Sequence, residues 1–219
     1  MDLKIVLVDI DRTLFPSLEF ARTARLAALV AMKEEGMRAP VRKAYAVLLK
    51  VVQEKGPNYQ DHLGEMLRRL DEKNRSRLVA AGVRAYHEAK GGIRPFADAK
   101  RALVKMRRAG LKLYVASEGK AVKQWDKLLR MDVHGYFDGA FISEDVGVEK
   151  SARFYSHIAK ELGVRPGEIL MIGDKVDRDV EPARKAGLHA ILIDRKAKKK
   201  TREVARSLQE AADLACAMK

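Results

Sequence analysis

The chain has 219 residues, 47% hydrophobic and 34% charged, with a formal charge of +14 at pH 7. That length supplies one large domain or two modest ones with a core to bury, and no apolar run approaches a membrane span. Cys216 is the single cysteine, which excludes an internal disulfide or a thiolate metal cluster within one chain. His62, His87, His134, His157 and His189 form none of the close pairs of a zinc site. The basic residues are dispersed rather than interleaved with aromatics, so they read as a solvated surface, and nucleic acid is not the expected partner. Scarce Asn (Asn58 and Asn74) beside abundant Lys, Arg and Glu resembles the composition of thermophile proteins. The N-terminus opens on a strand-like run rather than a leader, so an unprocessed, cytoplasmic protein is expected.

In chain order, Leu3 to Val8 is a continuous aliphatic run, the pattern of a strand buried on both faces of a parallel sheet. Asp9 and Asp11 follow at once, then Thr13. From residue 17 to about 90 the pattern is helical. Ser17 caps a helix running to Gly36. Pro40 opens a second, closed by Gly56-Pro57. A third spans Tyr59 to Leu70 and a fourth Asn74 to Ala89, closed by Gly91-Gly92. Four helices with short connections predict a small bundle.

Beyond Gly92 helices and strands alternate. The spacing predicts a helix through Ala99, Leu103 and Met106, a strand over 111–116, and a helix from Val122 to Met131. It then predicts a strand over 139–142, a helix from Ser151 to Leu162 and a strand over 169–172. A helix over 181–186 and a last strand over 189–193 follow. Arg195 to Arg202 is read as a solvated basic loop before a final helix from Glu203 to Ala215. Alternation of this kind predicts an α/β fold: a Rossmann-like parallel sheet sandwiched by helices, with the four-helix bundle inserted as a cap. The expected domains are residues 1–15 and 93–219 for the α/β core and 16–92 for the cap. Phe15-Pro16 and Gly91-Gly92 are the expected hinges of a module able to close over a ligand.

Ligand sites of open α/β sheets lie outside the carboxyl ends of the strands. Chemistry-bearing residues recur there. Asp9 and Asp11 follow the first strand, and two converging carboxylates need a cation or a substrate to compensate their repulsion. Ser117, with Glu118 and Gly119, follows the second; a hydroxyl and nearby amides suit phosphate oxygens. Lys150 follows the third and can neutralise a phosphoryl group. Gly173-Asp174 ends the fourth, with Asp177 and Asp179 close behind, and hard oxygen ligands there suit Mg²⁺.

Together these residues resemble the haloacid dehalogenase-like hydrolase superfamily. The matching stretches are Asp9-Ile10-Asp11-Arg12-Thr13-Leu14, Val115-Ala116-Ser117, Lys150, and Gly173-Asp174 with Asp179. Phe137-Asp138 through Gly147 and Asp179 through Gly187 resemble the subgroup whose helical cap is inserted after the first motif. Three positions depart: Arg12 replaces a frequent glycine, Ser151 a frequent proline, and Glu118 stands where Asn is common. The resemblance implies a Mg²⁺-dependent phosphatase acting on a small phosphorylated metabolite through an aspartyl phosphate. Asp9 is the implied nucleophile and Asp11 the implied acid and base. Ser117, Glu118 and Lys150 would hold the phosphoryl group. Asp9, Asp174 and the carbonyl of Asp11 would hold the metal, with Thr13, Gly173 and Asp179 in support. A 2-haloacid dehalogenase or a sugar phosphomutase is the alternative on the same fold, although dehalogenation has no use for Asp11. A monomer or homodimer is expected.

Overall fold

The computed structural model describes residues 2–199 and 201–219. It separates into two compact units, one formed by Met1–Pro16 with Arg94–Lys219 and the other by Ser17–Ile93.

In the first unit, six strands among the described residues form one sheet in the order β3-β2-β1-β4-β5-β6. They are β1 (Ile5–Val8), β2 (Lys112–Ser117), β3 (Gly139–Ile142), β4 (Ile169–Gly173), β5 (His189–Ile193) and β6 (Val204–Ala205). Every neighbouring pair is parallel. β1 and β4 are buried along their whole length, as continuous aliphatic strands covered on both faces must be. One face packs Leu7, Met171 and Ala116 against Phe154, Tyr155 and Ile158. Burying each such large side chain contributes about 1.5–3 kcal/mol.

β2 starts one residue later than the sequence implied. Gly110, at φ 79°, closes the preceding helix, and the Leu111 amide still donates to Met106 O at 3.1 Å. The carboxyl end of the chain differs more. The expected helix from Glu203 is instead β6 followed by a helix over Leu208–Ala217. Val204 and Ala205 pair with Leu192 and Ile193. Ser207 then caps the helix by accepting from the Glu210 amide at 3.1 Å. Edge pairing and a serine cap therefore override the helical propensity of the preceding residues. Within the loop expected over 195–202, Lys200 lies outside the described residues.

The second unit holds α1 (Ser17–Glu34), α2 (Val41–Lys55), α3 (His62–Arg69) and α4 (Arg75–Ala89). Leu29, Met32, Leu48, Met66, Leu67 and Leu78 fill its interior. α3 starts later than Tyr59 because Asp61 caps it, accepting from the Gly64 amide at 3.1 Å. The buried Glu72 carboxylate accepts from the amides of Arg38 and Ala39 at 3.1 and 2.7 Å, satisfying the donors that precede α2.

Candidate active site

The parallel order places β1 between β2 and β4, so their carboxyl ends open on one edge. Asp9 leaves β1 with its amide bonded to Ile172 O at 2.9 Å. The chain then turns back on itself. Leu14 N donates to Ile10 O and Arg12 N to Phe15 O, both at 2.9 Å. Arg12 adopts φ 62°, the left-handed region that favours glycine.

Lys150 follows the short helix Ser143–Val146 and precedes the helix Ala152–Glu161. It is 3% exposed. Its ammonium donates to Asp9 Oδ1 at 2.6 Å and Asp179 Oδ1 at 2.5 Å. Burial alone would lower this ammonium's pKa, but the charges of Asp9, Tyr155 and Asp179 override it and raise it. Asp9 is pushed up to about 7, chiefly by burial and further by Asp179 and Asp11, while Lys150 opposes the shift.

Asp179 sits in a single π-helical turn, Val176–Val180, closed by Val180 N donating to Lys175 O at 3.2 Å. Its second oxygen accepts from the Lys175 amide at 2.9 Å. Tyr155 donates to Arg178 O at 2.9 Å, fixing the same turn from the helix behind. Gly173 is required here, because a Cβ at that position would collide with the Asp179 carboxylate.

Oxygens of Asp9, Asp174 and Asp179 lie within 4.8 Å of one another, a grouping able to hold a metal ion. Asp174 Oδ1 is buried without a hydrogen-bond partner, while Oδ2 pairs with the Arg12 guanidinium. Burial raises the Asp174 pKa and Arg12 opposes the rise. An orphaned carboxylate oxygen inside an acidic, oxygen-only donor set fits a hard divalent cation. The Asp11 carboxylate stands outside this group. Lys127 takes both of its oxygens, at 2.8 and 2.6 Å, and is itself steadied by Gln124 Oε1 at 3.0 Å.

The remaining residues singled out in the sequence surround this centre. Ser117 is the buried last residue of β2. The Glu118 carboxylate lies 3.8 Å from Arg178, and its carbonyl accepts from Gln124 Nε2 at 2.6 Å. Thr13 is fully buried, and its carbonyl accepts from Arg195 at 3.2 Å. Asp177 has a 79% exposed side chain 3.8 Å from Arg178 and is not among the grouped acids.

Sequence reasoning missed Lys127, Gln124 and Tyr155. Gln124, Lys127 and Leu128 share one face of the helix Ala121–Arg130 at helical spacing, the one signal available, and Gln124 and Leu128 are its buried residues.

A family model described as haloacid dehalogenase-like hydrolase matches residues 3–187. A glyceraldehyde 3-phosphate phosphatase of Methanopyrus kandleri is 39% identical over 197 residues, covering 88% of this chain and 84% of that protein. One from Methanothermobacter thermautotrophicus is 35% identical, covering 88% and 86%. Among solved structures, a HAD phosphatase from Thermococcus onnurineus superposes with a TM-score of 0.70 at 21% identity, covering 97% of each chain. The motifs, the sheet and these likenesses agree: the chain belongs to the haloacid dehalogenase-like hydrolase family.

Proposed function

We propose that this protein is a phosphatase that hydrolyses a small phosphomonoester, with Asp9 as nucleophile and Mg²⁺ as cofactor. The observation that carries the reading is the Asp9 carboxylate, held by a buried lysine inside a group of three acids. An Asp9 oxygen attacks phosphorus, the ester P–O bond breaks, and Asp11 gives its proton to the departing alkoxide. Asp11, now a carboxylate, takes a proton from water as the water oxygen attacks phosphorus. The bond to Asp9 then breaks, releasing inorganic phosphate and restoring the site. Lys127 bonds to both Asp11 oxygens, so it must release one of them for Asp11 to carry the proton it donates, and it re-engages the carboxylate afterwards.

Lys150 neutralises charge on Asp9 and on the transferring group, and Asp179 holds Lys150 in place. The Ser117 hydroxyl and the main-chain amide of Glu118 serve the phosphoryl oxygens; the Glu118 carboxylate, being anionic, is turned to Arg178 instead. Asp9, Asp174 and the carbonyl of Asp11 would hold Mg²⁺, which when bound offsets the charge of the phosphoryl oxygens as the nucleophile approaches. Thr13 and Gly173 support the two loops that carry these acids.

The Methanopyrus and Methanothermobacter relatives make glyceraldehyde 3-phosphate the first substrate to test. A dehalogenase or phosphomutase remains the second reading on the same fold, and Asp11 disfavours the dehalogenase. The test measures phosphate release from glyceraldehyde 3-phosphate and p-nitrophenyl phosphate by the parent and by Asp9→Asn. The parent is expected to turn over both, to stop in EDTA and to recover in MgCl₂, while Asp9→Asn releases none. Parent-like turnover by Asp9→Asn removes Asp9 as nucleophile.

A further inference from the structure

Among the cations near the acids of the site, Lys150, Lys127 and Arg12 are not equivalent. Lys150 is 2% exposed along its side chain and bonded to two carboxylates, so it has no room to leave. Lys127 serves Asp11, whose carboxylate is outside the three-acid group. Arg12 is different on each count. Its side chain is 39% exposed, yet it pairs with Asp174, which is 8% exposed and belongs to the group. It engages one Asp174 oxygen and leaves the other buried and unpartnered. It does so from φ 62°, a backbone conformation that an L side chain adopts only at a cost. A glycine would relieve that cost and could make no ion pair.

We propose that Arg12 is a built-in counter-ion of the metal site: it neutralises Asp174 when the divalent cation is absent and must yield that carboxylate as the cation binds, so it sets the metal affinity. The inference rests on the metal-site reading above. Two positive charges competing for one carboxylate repel, and the partly exposed guanidinium can move out into solvent as the divalent cation takes the carboxylate. Arg12 is a positioning residue here, acting through Asp174. It lets the acidic loops fold without metal and makes cation binding weaker than three acids alone would give.

The test compares the parent with Arg12→Gln, which removes the charge but keeps a side chain at the same strained backbone, and with Arg12→Gly, which removes both. Binding is read directly, by titration calorimetry with MgCl₂ and by electron paramagnetic resonance of free Mn²⁺, with no substrate present. Both variants are expected to bind either cation about tenfold more tightly than the parent. The metal-free melting temperature of Arg12→Gln is expected below that of the parent, the gap closing in saturating MgCl₂. Unchanged or weaker cation binding in Arg12→Gln overturns the proposal, whatever the melting data. Asp174→Asn separates the two failures. If it abolishes binding while Arg12→Gln leaves it unchanged, only the Arg12 proposal falls; if it binds like the parent, the metal-site reading falls with it.

Discussion

Replacing Lys150 by methionine tests the buried centre most directly. The ammonium lies between Asp9 and Asp179 at 2.6 and 2.5 Å, with both acids and the lysine nearly sealed from solvent. Methionine keeps most of the volume and leaves two facing carboxylates without their shared cation. Breaking a buried pair by removing one partner costs about 3–5 kcal/mol. For a chain of this size, at roughly 2–4 °C per kcal/mol, the melting temperature falls by about 6–20 °C. The deficit has a pH signature. Asp9 is at about 7 with Lys150 as the largest influence holding it down, so its loss pushes that carboxyl higher. A carboxyl whose folded-state pKa is raised disfavours folding increasingly as pH climbs from its unfolded value toward the folded one. The gap between variant and parent is therefore larger at pH 8 than at pH 5. Calorimetric melting in metal-free buffer at both pH values reads this. A loss below about 1 kcal/mol, the scale of a surface pair, or a deficit independent of pH, refutes the buried-bridge account.

Gly173→Ala forces a methyl into the Asp179 carboxylate. It is expected to cost about 1–3 kcal/mol and to displace the acid that orients Lys150, reducing p-nitrophenyl phosphate turnover as well; parent-like melting and activity together would contradict the geometry. Glu168 accepts from Arg165 and is bridged to Lys4, which holds its carboxyl down at about 2. A depressed folded-state pKa contributes stability above the unfolded value, lost as pH falls toward the folded one. Glu168→Gln should therefore melt below the parent at pH 7, and the two curves should converge between pH 4.5 and about 2; a gap constant with pH would show that the charge is not what stabilises.

The strand ends were legible because aliphatic runs such as Ile5–Val8 and Ile169–Ile172 stop abruptly at acids, and buried strands tolerate little else. Asp9, Lys150 and Asp174 stood out as a set by that position, and Asp179 through the family resemblance; Lys150 bonds to Asp9 and Asp179, and Asp174 lies within the same group of acids. Lys127 was not legible: one lysine among several on a short helix looks like any solvated lysine until the fold turns its face inward. Arg12 showed only as a departure at a glycine-favouring position, with no hint that its guanidinium reaches Asp174. The short edge strand β6 was missed because Val204-Ala205, between charged residues, carries no alternation long enough to distinguish it from a helix. The π-helical turn was missed for a related reason: its extra residue per turn leaves no mark in the hydrophobic spacing.

The central placement of β1 also dictates an order of assembly. Its two neighbours begin at Lys112 and Ile169, far downstream of Ile5. A chain growing from its amino terminus on the ribosome therefore exposes an aliphatic segment with no partner, while the helices of Ser17–Ile93, whose contacts are local, already have theirs. Asp9 is thus among the first residues synthesised and among the last to reach its buried environment, since Lys150 and β4 arrive only in the final third of translation.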